Sequence, residues 1–212
     1  MGISAGLVAL FVLGPLLVTS YGGGTGERRW FLWLLYFGAL GAGFMLIKVS
    51  VLQRFVLLLG HPVYSLTVTL FSLLLGTGIG AAWSRRLRED TLARSTAITI
   101  GLIAVLAFVV IAVVTPLITW AIPFTRGVRI LIAVATLVPI GVALGIPMPA
   151  GLRLLSARAP QMLTWAWGIN GALSVVGATL AIFIAMNWGF GTTLMTASGM
   201  YLIGLVALIA AI

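Results

Sequence analysis

Few residues of this 212-residue chain can do chemistry, and their spacing limits what that chemistry is. Lys48 lies inside a long apolar stretch, where an ionisable group is costly and marks a binding or transport role. It follows Trp30 by 18 residues, a helical rise of about 27 Å, close to the hydrocarbon thickness of about 30 Å. Its ammonium therefore either reaches the outer interface along its own stem or meets an anionic group of a ligand or another chain. Gln53 and Arg54 follow in a segment too short to span, VSVLQRFVLLLGH. That segment is expected to lie along the outer interface as an anchor or lid, or to prolong the helix before it. His61 is the single histidine, which rules out two-histidine ligation within the chain. Placed before Pro62, it reads as a helix-start residue near the interface; a lone axial ligand to haem is the other reading. Asn170 and Ser174, four residues apart, share a helix face that Gly177 borders and suit either interhelical hydrogen bonds or ligand contact.

What is missing weighs as much. The chain holds three acidic residues, Glu27, Glu89 and Asp90, all outside the apolar segments, and no cysteine. Disulfides, thiolate nucleophiles and Cys-ligated metals are excluded, and no intramembrane carboxylate offers a proton or cation relay. Paired acids, a nucleophile–base pair and a phosphate loop are likewise not found, so the chain reads as non-enzymatic. No metal or cofactor is expected; bound lipid is expected, and pigment or haem is left open. GTGIG at 76–80 lacks the preceding strand that a nucleotide fingerprint requires.

The elements that position these residues are apolar helices. Hydrophobic residues make up 62% of the chain and charged ones 7%, too little polar surface for a water-soluble globule. The sequence predicts an all-α polytopic bundle, residues 1–212 forming one transmembrane domain. About seven spans fall at roughly 3–21, 30–50, 62–83, 96–121, 128–149, 162–187 and 190–211. The first reads as a retained helix, lacking a basic leader region and a cleavage site. Arg28, Arg29, Arg85, Arg86, Arg88, Arg94, Arg153 and Arg158 fall on one side of these spans against Arg126 and Arg129 on the other. The positive-inside rule then puts the amino terminus outside and the carboxyl terminus in the cytoplasm. The net charge of +9 is dispersed between apolar segments, which suits lipid headgroups and excludes a nucleic-acid platform. Gly76/Gly80 and Gly141/Gly145 repeat the small-xxx-small spacing of close helix packing. Pro139, Pro147 and Pro149 mark the fifth span as the one to kink or break.

Three segments, GFMLIKVSVLQRFVLLLGHPVYSLTVTLFSLLLGTGIG, GIPMPAGLRLL and WAWGINGALSVVGATLAIFIAMNWGF, occur in that order. Together they resemble the carboxy-terminal membrane region of bacterial spermidine synthase-like multi-pass proteins, from about Tyr36 onward. The resemblance implies a helix bundle of the bacterial inner membrane. In that family such helices commonly adjoin a soluble aminopropyltransferase-like domain, whose glycine-rich loop and catalytic aspartate have no counterpart in these residues. The family's G-F-x-x-x-E-x-x-x-x-Q pattern is matched at Gln53, while Lys48 stands where the acid is expected.

Two functions remain from the sequence. One is a non-catalytic membrane subunit that packs against a partner protein in a larger complex. The other is a transporter or exporter of a small solute, a polyamine by analogy with the family, with the fifth-span prolines and Asn170 lining its path.

Overall fold

In a medium without water the backbone must bond to itself, and a helix does so within one segment. The computed structural model describes residues 29–212, and they are helical with no strand among them. In order come α1 (Trp30–Leu59), α2 (Pro62–Ser84), α3 (Leu92–Ala121), α4 (Arg126–Gly145), α5 (Pro147–Ser156), a 3-10 turn (Pro160–Met162) and α6 (Leu163–Ala211). Five stretches among them are long and apolar enough to cross a membrane: Trp30–Leu59, Pro62–Ser84, Leu92–Ala121, Arg126–Ser156 and Pro160–Ala211. These five stretches stand where seven separate spans are expected. The first of the seven, 3–21, lies outside the described residues, and the last two belong to one continuous stretch.

That last stretch folds back on itself. A straight helix of 49 residues would extend about 74 Å, more than twice the hydrocarbon thickness. Gly189 alone leaves helical geometry, at φ 85° and ψ 169°, a conformation a side chain would strain. Contacts with α1 give the direction of the two arms. Asn170 bonds Phe37, Ser174 lies against Gly41 and Gly177 against Ala42, so 163–188 runs alongside α1 in the same direction. Tyr201 meets Gly43, Gly204 meets Leu40, and the Ala210 carbonyl accepts from Arg29, so 190–211 runs back. The sequence suggests a loop at Asn187–Gly189 because its residues are turn formers; one glycine suffices.

The segment after Lys48 is not a separate interfacial helix. It continues α1 to Leu59, with Val51, Phe55, Leu58 and Leu59 buried, and Gly60 in the left-handed region (φ 73°) ends the helix. Burial of that apolar face keeps the helix intact beyond Lys48.

Helix ends expose carbonyls that need donors. Arginines supply them. Arg129 donates to the carbonyls of Phe124 (2.9 Å) and Ile122 beyond α3 and of Leu58 (3.4 Å) near the end of α1. Arg153 donates to Ser84 (2.8 Å) and Leu87 (3.2 Å) at the end of α2, and Arg158 to Ala211 (2.9 Å) at the end of α6. A cation at a helix carboxyl end also opposes the helix dipole. Among the described residues the ion pair is Arg88–Asp90, at 3.0 Å and exposed.

The glycine pairs expected to pack do lie face to face. A methyl group on Gly76 would come 2.8 Å from the Gly141 Cα, and one on Gly80 would come 3.2 Å from the Gly145 Cα and closer still to the Val142 carbonyl. Both glycine sets ascend together, so α2 and α4 run parallel. We expect Gly80→Ala to cost about 1–3 kcal/mol, since backbone cannot move aside as a side chain can. Gly101→Ala, where a methyl would meet open space, should be neutral or stabilising by up to about 1 kcal/mol. Unfolding in detergent checks the contrast.

Candidate functional site

The site grows from a proline break. Pro139 sits inside α4 without ending it, but Pro147 lacks an N–H and starts a new helix, α5. Between them the Ile146 amide makes only a tightened 3.4 Å bond to Ala143. The break is held from α1: the buried Tyr36 hydroxyl donates to the Pro147 carbonyl at 2.7 Å. Gly151, one turn on, makes room for that ring, because a methyl there would sit 2.7 Å from the Tyr36 hydroxyl oxygen.

Beside the break lies a cavity of about 460 Å³, within the usual range of ligand pockets. Its floor is Leu40, Gly41 and Phe44 of α1. One wall is Leu74, Thr77, Gly78 and Ala81 of α2 with Met148 and Pro149 of α5; the other is Trp167, Asn170 and Ser174 of α6. Two of its lining residues, Leu74 and Trp167, are 63% and 60% exposed. The lining is mostly apolar, and most polar donors in it are already used. Asn170 donates to the Phe37 carbonyl (2.9 Å), Ser174 to the Asn170 carbonyl (2.7 Å) and Thr77 to the Leu74 carbonyl (3.0 Å). Tyr201 also lines the cavity, is 1% exposed, and its hydroxyl has no hydrogen-bond partner among the described residues.

The sequence-derived candidates divide between this cavity and other places. Asn170 and Ser174 line it, as does Pro149 of the broken span, while Gly177 packs on Ala42. Lys48 is half-buried one turn beyond Phe44, with its ammonium over the Phe44 ring, 6.0 Å from the centroid. Gln53 is exposed, and Arg54 donates to the Thr115 hydroxyl of α3 while its Nε is buried without a partner. His61 caps α2, its Nδ1 accepting from the Val63 amide at 3.3 Å, with Tyr64 edge-on. Arg54 and His61 are therefore not brought to the cavity. Sequence reasoning missed Tyr36, Tyr201, Gly78 and Trp167. The signal for Gly78 was present, since it interrupts the Gly76/Gly80 pair on a different face.

Comparison with protein-family models, characterised proteins and solved structures finds no match.

The two buried tyrosines differ in a measurable way. Tyr36→Phe removes an interhelical hydrogen bond and should cost about 1 kcal/mol of stability. Tyr201→Phe removes a hydroxyl that has no hydrogen-bond partner among the described residues and should cost nothing in the unliganded protein, with unfolding midpoints of both variants as the readout.

Proposed function

We propose that this chain is a non-catalytic, multi-pass protein of the bacterial cytoplasmic membrane whose intramembrane cavity takes up an amphiphile from the bilayer. One observation carries the reading: the proline break of α4 and α5 borders a mostly apolar cavity of about 460 Å³ whose lining includes the exposed Leu74 and Trp167. Broken helices line binding sites in membrane carriers because the break frees backbone at depth. The ligand class follows from the lining. Asn170, Ser174 and Thr77 give their donors to backbone, so a largely hydrocarbon guest leaves few polar groups unmatched. A polyamine fits poorly, because the chain's acids lie outside the spans and no carboxylate lines the cavity.

Gly78 provides the test. It lines the cavity and a methyl group there meets open space, so Gly78→Leu starts its side chain without a backbone clash, takes up cavity volume and improves helix propensity. Purified wild-type protein should retain oleyl alcohol in native mass spectra, and Gly78→Leu should lose it with an unchanged or raised unfolding midpoint. Equal retention by both would remove the reading.

The arrangement in the membrane belongs to the same proposal. The ends of α2 and α5 and both ends of α6 lie with Arg85, Arg86, Arg88, Arg94, Arg153 and Arg158 at one end of the bundle, against Arg126 and Arg129 at the other. The arginine-rich end faces the cytoplasm under the positive-inside rule. The two arms of α6 each cross, so the described residues cross six times and both begin and end on the cytoplasmic side. The sequence lacks cysteine, so single substitutions report cleanly. Thr125→Cys should react with a membrane-impermeant maleimide in intact cells, and Glu89→Cys only after lysis.

A second reading is a supporting subunit for a protein that supplies a soluble domain, in keeping with the resemblance to spermidine synthase-like membrane regions. Short connections favour it: only Gly60 and His61 separate α1 from α2. The paired glycine faces do not, as they are occupied within the chain. Recovery of a stoichiometric partner from native membranes would distinguish it.

A further inference from the structure

We propose that the guest of this cavity carries an oxyanion, and that Lys48 binds it: the ligand is a single-chain amphiphile such as a fatty carboxylate or lipid phosphate, its hydrocarbon in the cavity. The inference rests on the cavity reading above and specifies the ligand's charge.

Depth is the first argument. Arg54 reaches Thr115 of α3, and the exposed Trp120 lies five residues further along that helix, at the level where indoles favour a headgroup layer. Lys48 lies six residues inside Arg54, about 9 Å toward the membrane centre. The helix also runs 11 residues beyond Lys48 to Leu59, so the lysine is not at a helix end. Direction is the second argument. A lysine that snorkels turns its stem toward the nearer interface. Here the ammonium lies over Phe44, one turn back toward the membrane centre.

Position and pairing complete the case. Gly41, Phe44 and Lys48 fall at i, i+3 and i+7 on α1, one face of a helix, and Gly41 and Phe44 are the cavity floor. Lys48 itself does not line the cavity but follows on the same face, one turn beyond its floor. Its ammonium has no hydrogen bond or ion pair among the described residues, and the Phe44 ring is its recorded partner. A cation held at depth needs an anion to offset its lost hydration. An oxyanion just beyond the Phe44 end of this mostly apolar cavity supplies it and leaves the chain of the amphiphile against Leu40, Leu74 and Leu144.

The experiment compares oleate with oleyl alcohol, equal chains differing in charge, and oleyl phosphate as a second oxyanion, titrated into full-length protein in neutral detergent. Wild type should bind oleate, oleyl phosphate or both at least about tenfold more tightly than the alcohol, the size expected of one charge-assisted contact. Lys48→Met should bring the oxyanions down to the alcohol's affinity and leave the alcohol unchanged, while Lys48→Arg keeps the preference. An unfolding midpoint for Lys48→Met no lower than wild type shows that the fold is intact. Wild type binding the alcohol as tightly as both oxyanions, or Lys48→Met keeping the preference, overturns the assignment to Lys48 while the cavity reading stands. Loss of all binding in wild type overturns both.

Discussion

Every helix ends with carbonyls that have no partner in their own turn, and in this chain few acids compete for the cations that can reach them. Guanidinium groups therefore close the helices rather than pair with carboxylates. Arg129 gathers the ends of α1 and α3, Arg153 the end of α2, and Arg158 and Arg29 the end of α6. Each contact satisfies backbone oxygens, opposes a helix dipole and ties distant parts of the chain together. The arginines that interrupt the apolar stretches are thus partly the same ones that fasten the helix ends.

Within the bundle the working distance is set by glycine. Where Gly76 and Gly80 face Gly141 and Gly145, backbones touch and no side chain fits; where Gly78 turns away, the same residue type leaves a void. Lipid tails are as apolar as leucine, so the hydrophobic effect does not drive these helices together, and close backbone contact takes its place. A cavity beside such a seam is stable because the seam, and not the filling of the cavity, holds α2 to α4. The Tyr36–Pro147 hydrogen bond does similar service at the break, fixing its angle from a third helix.

Much of this was legible in the sequence for a physical reason: apolar length reports a lipid environment, and proline and glycine report backbone constraint. Most helix ranges, the break in the proline-containing span, the close-packing glycine spacings and the helix-start position of His61 follow from those signals. Which glycines face which, and how little chain the reversal at Gly189 needs, do not, because local residue types do not encode contacts between helices. The cavity was not legible, since it depends on which faces of α1, α2, α5 and α6 remain unopposed, and no periodicity encodes that. Lys48 illustrates the limit well. The sequence measures its distance only from Trp30, whereas the register of α1 against α3, set by the Arg54–Thr115 contact, is visible only in the folded chain.

The hairpin of α6 also returns the chain to where it entered. Its two arms run along α1 in opposite directions from the single departure at Gly189. The Arg158 guanidinium, just before the first arm, reaches the Ala211 carbonyl at the end of the second. One side chain thus clasps both ends of a 49-residue stretch, and the carboxyl-terminal residues are secured by a contact made across the whole length of that stretch rather than by their neighbours in sequence.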